Sequence, residues 1–101
     1  MERRLQLHQI LTEILGSENV YFQPPESTRM KYPCIVYQRN AADTKFADDK
    51  PYMKTKRYTV TVIDKDPDSE IPDKIAALPL CAFDRHHTVD NLNHDVYNLY
   101  Y

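Results

Sequence analysis

Residues 57–63 read RYTVTVI, and their alternation decides the fold. Tyr58, Val60 and Val62 fall on one face and Thr59, Thr61 and Ile63 on the other, the period of two that a pleated strand imposes. β-Branched and aromatic side chains suit such a half-buried surface. The segment Cys34-Ile35-Val36-Tyr37-Gln38, opened by Pro33, has the same character, and the two stretches are expected to pair. Between them lies AADTKFADDKPYMKTK, residues 41–56. Its length exceeds most connections in compact domains, so it reads as a functional loop or an extended β-arm.

Toward the N-terminus, ENVYFQPP (residues 18–25) is close to a protease site used to remove purification tags. Val20 stands where that site has Leu, Pro24 would block cleavage after Gln23, and a patterned helix precedes the stretch rather than a tag. It therefore belongs to the protein. Val20-Tyr21-Phe22-Gln23 reads as a short edge strand, stopped because Pro24 and Pro25 have no amide hydrogen to donate. In residues 3–15, RRLQLHQILTEIL, Leu7, Leu11 and Ile14 recur at helical spacing while Ile10 and Leu15 widen the stripe. Gly16, the only glycine, follows where a left-handed residue closes a helix.

Toward the C-terminus, Asp66-Pro67-Asp68-Ser69 offers turn and N-cap chemistry, and Ile71, Ile75 and Leu78 then recur at helical spacing until Pro79. A short helix is expected over about 70–78. Residues 80–87 and 93–101 follow as two strands joined by a turn around Val89-Asp90-Asn91. The order α-β-β-β-α-β-β, without regular βα alternation, indicates a single α+β domain with a small, mostly antiparallel sheet and two helices beside it.

The chain has 101 residues, 42% of them apolar, and a formal net charge of −2. A core of this size leaves association as a ready source of further burial. The balance of charge gives no global attraction to phosphate backbones or anionic lipid. No apolar run approaches the ~20 residues that span a bilayer, and the start MERR leads into no signal-peptide core, so a soluble protein made in a cytoplasm is expected. Cys34 and Cys81 lie at neither metal-ligand nor redox spacing and read as small buried hydrophobes rather than a disulfide.

Catalytic signatures are missing from the sequence. A phosphate-cradling loop needs several glycines, and no Gly-x-Ser-x-Gly, His-Glu-x-x-His or paired Cys-x-x-Cys occurs. Asp84, His86, His87, Asp90 and His94 are the nearest approach to a metal constellation. Adjacent strand histidines point to opposite faces, which leaves His86 with His94 across a hairpin as the pair that could approach. A site needs more convergent ligands than that. A nucleophile drawn from His94, Asp95 and a cysteine is disfavoured, because apolar surroundings oppose a thiolate. No catalytic, cofactor or metal residue is assigned.

Charge and tyrosine content are more informative. Residues 50–57 carry Lys50, Lys54, Lys56 and Arg57 without an acid, a local +4. Residues 64–73 carry Asp64, Asp66, Asp68, Glu70 and Asp73 against one lysine, a local −4. Such blocks either pair within the fold or join one subunit to the next, and a heterologous contact that closes makes a ring. The basic block lies in the long segment with Lys45, Phe46, Tyr52 and Met53, apolar groups among lysines that suit a docking arm. The eight tyrosines, including Tyr97, Tyr100 and Tyr101 at the C-terminus, suit either half-buried strands or protein contacts.

The arrangement of an N-terminal amphipathic helix, VYFQPPESTRMKYPCIVY, a long arm, KRYTVTVIDKDPDSEIPDKIAALP and a closing FDRHHTVDNLNHDVYNLYY resembles the tail-terminator or tail-completion proteins of long-tailed bacteriophages. These are also labelled minor capsid or head–tail joining proteins. The resemblance spans essentially the whole chain and rests on phrases such as YPCIVY and YTVTVIDKDPDSEIPDKI, not on a catalytic motif. It implies a non-enzymatic ring, usually hexameric, in the neck of the virion. Such a ring ends the tail tube, meets the head connector or stopper protein, and lets DNA pass through its lumen without sticking, for which a weakly acidic balance is suited. A head-side adaptor or stopper is the near alternative, and a small metal- or nucleic-acid-binding module is the alternative of a different class.

Overall fold

The alternating stretch becomes the middle strand of a five-stranded sheet. The computed structural model describes residues 3–40 and 56–101. In chain order the elements are α1 (Arg3–Leu15), β1 (Val20–Phe22), β2 (Cys34–Arg39), β3 (Arg57–Asp64), α2 (Ile71–Ala76), β4 (Cys81–Val89) and β5 (Leu92–Tyr100). The strands lie in the order β1-β2-β3-β5-β4, with two helices beside them, an α+β fold. Three of the four pairings are antiparallel. The exception is β1, which runs parallel to β2 with Val20 opposite Ile35 and Phe22 opposite Tyr37.

Tyr58, Val60 and Val62 face the helices and are almost fully buried. Opposite them on β2 stand Ile35 and Tyr37, and on β5 Tyr97 and Leu99. Leu7 and Leu11 of α1 and Ile75 of α2 close this cluster from above, with Ile14 and Leu15 packed at its margin. Tyr37 is completely buried, its ring 4.9 Å from that of Phe22 and 6.1 Å from that of Tyr58. The other face of the sheet carries the expected Thr59, Thr61 and Ile63, with Cys34, Ile63 and Val96 forming a narrower buried row.

The ends of the elements follow local chemistry. Gly16 has φ +79 and its amide donates to the Thr12 carbonyl, closing α1 in the left-handed geometry that glycine takes without strain. Gln23 ends β1 at φ 45, and its side-chain Oε1 accepts a bond from the Arg39 amide before Pro24 stops the strand. Asp90 and Asn91, both at positive φ, make the two-residue turn between β4 and β5. The second helix is shorter than the expected 70–78. Glu70 is its N-cap without a side-chain cap bond, Ser69 Oγ instead accepts from the Ile71 amide, and Leu78 closes a tight turn onto Ile75.

Among the described tyrosines, Tyr37, Tyr58 and Tyr97 are buried, Tyr21, Tyr100 and Tyr101 are half-buried and Tyr32 is exposed, so both readings of the tyrosines have members. The Tyr97 hydroxyl donates to the Pro72 carbonyl at 3.1 Å, tying α2 to β5. Burial first, then the charge of Asp95, pushes the Tyr97 hydroxyl up to about 12. Cys34 and Cys81 are free thiols on opposite faces of the sheet. Among the described residues no helix is long and apolar enough to cross a membrane.

Candidate interaction site: two charged poles and a basic cleft

β3 separates the charge blocks that the sequence places on either side of it. Arg57 begins the strand and pairs with Tyr100, while Asp64 ends it and pairs with Asn93. Seven residue steps at ~3.3 Å put the two ends about 23 Å apart. That distance exceeds twice the Debye length of about 8–10 Å at ordinary salt, so the charges at these two strand ends do not neutralise one another.

At the acidic pole the chain turns tightly from β3 into α2. Asp64 Oδ1 accepts from the Asp66 amide and Asp66 Oδ1 accepts from the Asp68 amide, both at 2.9 Å. These Asx turns fix the backbone while Asp66, Asp68, Glu70 and Asp73 stay exposed. The acidic block is therefore a rigid, carboxylate-bearing corner.

At the opposite pole the described part of the basic block is Lys56 and Arg57. Lys45, Phe46, Lys50, Tyr52, Met53 and Lys54, the remaining expected interface residues, lie outside the described residues. The two stems of that segment are anchored. Asn40 donates its amide to Arg57 O at 2.9 Å and its Nδ2 to Thr59 Oγ1 at 2.8 Å, and Lys56 exchanges backbone bonds with Tyr101.

Beside these stems α1 adds cations that the sequence pattern did not point to. A cleft of about 540 Å³ is lined by Arg3, Arg4, Arg39 and Lys56 together with Phe22, Tyr58 and Tyr101. Its aromatic floor holds the guanidinium groups: Arg3 lies 4.6 Å over the Tyr101 ring and Arg4 4.5 Å over the Phe22 ring. Arg4 Nη1 also donates to the Tyr37 hydroxyl at 3.4 Å, and that hydroxyl meets His8 Nδ1 at 2.7 Å. Burial, and after it the Arg4 charge, lowers the His8 pKa, so at neutral pH the imidazole is uncharged. No carboxylate is among the described residues lining this cleft. Four cations converging here, with no carboxylate among the described lining residues, create a positive potential that favours an anionic guest.

The histidine-rich hairpin does not place His86 opposite His94, the pair that the sequence left able to approach. A bulge at Asp84 shifts the register between Phe83 and Arg85. On the hairpin-turn side of that bulge the two-residue Asp90-Asn91 turn sets Val89 opposite Leu92 and so His86 opposite Asp95, with Nδ1 to Oδ1 at 2.7 Å, while His87 stacks on His94 on the other face at 4.7 Å. Among the described residues no three His, Cys, Asp or Glu side chains are grouped to hold a metal ion. Neither thiol is poised for attack either. Burial, and then the nearby Asp64 charge, raises Cys34 to about 11, and burial raises Cys81.

A second, apolar cavity of about 270 Å³ lies between α1 and the α2–β4 connection, bordered by Leu7, Ile10, Leu78 and Leu80. Leu80 is 63% exposed at φ 58, an uncommon backbone for a bulky residue. Compared with family models, with curated proteins and with solved structures, the chain matches none.

Proposed function

We propose that this chain is a non-enzymatic structural subunit of a long-tailed phage neck, forming a closed ring that ends the tail tube and joins it to the head connector. The observation that carries the reading is the separation of Arg57 from Asp64 by the length of β3. Unlike surfaces at opposite ends of one molecule favour a heterologous, head-to-tail contact, and such contacts close into rings when the rotation per subunit permits. The small core and the sequence resemblance support the same assignment. The 41–56 segment is the part of the chain suited to reach a neighbouring ring.

Electron microscopy of purified tail tubes with and without the protein tests the proposal. The expected result is a ring at one end of each tube and arrest of further tube growth. Tubes that stay bare and continue to lengthen exclude it. Binding to the connector but not to the tube would move the chain to the head-side adaptor position.

A further inference from the structure

We infer that the cleft formed by Arg3, Arg4, Arg39 and Lys56 is a socket for the acidic Asp64–Asp73 corner of the next copy of this chain. The inference rests on the ring reading and adds to it the two surfaces that meet. The socket carries four cations and, among the described residues lining it, no carboxylate. Arg3 and Arg4 are held in place by the rings beneath them. The corner offers exposed carboxylates on a backbone fixed by two Asx turns. Both partners are preorganised, so docking loses little conformational freedom. Guanidinium groups are suited to carboxylates because their planar forks match two oxygens at once.

The occupant is an acidic protein surface rather than nucleic acid for two reasons. The complementary corner lies on the same chain, too far away to fill its own socket and free to fill another. The net charge of −2 also opposes the long-range attraction on which phosphate-backbone binding depends. The side chains of Asp68 and Glu70 are exposed, as are those of Arg39 and Lys56, so all four can be changed without touching the core.

Two variants test the inference, R39Q/K56Q in the socket and D68N/E70Q in the corner, each checked for an unchanged thermal midpoint. Self-association is followed by sedimentation velocity, with a short single-stranded oligonucleotide as a competing probe. Each variant alone is expected to associate at least tenfold more weakly than the parent. An equimolar mixture is expected to yield a two-chain complex and nothing larger, because one intact socket meets one intact corner and the remaining ends are blank. Parent-like assembly by R39Q/K56Q overturns the socket while leaving the ring reading intact, as does a mixture that assembles as fully as the parent. An oligonucleotide that binds the parent but not R39Q/K56Q, with assembly unchanged in that variant, reassigns the cleft to nucleic acid. A parent that never assembles, alone or on tubes, removes the ring reading itself.

Discussion

Arg57 and Asp64 terminate opposite ends of one strand, so a cation and an anion of this chain stand about 23 Å apart along β3. Exposed charges interact over about a Debye length, and that length contracts as salt rises. Association between poles should therefore weaken steadily from about 0.05 M to about 0.5 M salt. Light scattering across that range measures it, and assembly that strengthens with salt would identify an apolar interface instead.

The helix-to-sheet core should respond in proportion to burial. Leu11 is wholly buried and Leu5 is 45% exposed on the same helix. Leu11→Ala should cost about 2–5 kcal/mol of unfolding free energy through lost transfer energy and the cavity left behind. Leu5→Ala should stay within about 0.5 kcal/mol. Urea denaturation of the two variants separates them.

Gly16 tests a different kind of constraint. A Cβ at this position meets nothing within 4 Å, so the cost of a side chain there is one of backbone conformation at φ +79. Gly16→Ala should destabilise by about 1 kcal/mol, the left-handed penalty partly offset by a stiffer unfolded chain. Gly16→Asn should cost less, since asparagine tolerates that region. Equal losses in the two variants would point to a contact rather than a dihedral.

His8 should make stability depend on pH. Its folded pKa lies below the ordinary 6.5, through burial and then Arg4. Between those two values the unfolded chain binds more protons, so stability falls as pH drops through that window. The thermal midpoint should decline between about pH 7 and about pH 5, and His8→Gln should remove part of the decline. A variant with the same slope as the parent would place the titration elsewhere.

Thiol chemistry should follow burial. With its pKa raised to about 11, Cys34 should resist an aromatic disulfide reagent at pH 8 in the folded protein and react fully in urea. Rapid labelling of Cys34 in the native state would show that the β2–β3 row opens readily.

How far the sequence disclosed this molecule depended on where the information lay. RYTVTVI displayed the faces of β3 because its period matches the pleat, and Gly16 marked the end of α1 because its φ is one that other residues avoid. The direction of β1 was not legible, since three residues carry no sign of parallel pairing. β4 was placed at about 80–87 rather than 81–89. Eight of its nine residues are exposed, so no buried alternation marks its ends. The Asp84 bulge was hidden for the same reason, and the partner of His86 turned on a single residue of turn length: the two-residue Asp90-Asn91 turn puts Asp95 rather than His94 opposite it. The basic cleft was missed because Arg4 and Arg39 are far apart in the chain and converge only when α1 packs over β1 and β2. Local charge runs pointed instead to residues 50–57, most of which lie outside the described structure.

Native mass spectrometry of the unmodified chain at low salt, alone and with tail-tube protein, tests the central claim most directly. The ring reading predicts a closed assembly with one stoichiometry, a whole-number multiple of 11.9 kDa. A species of 11.9 kDa at every concentration, alone and in the presence of tubes, would contradict it.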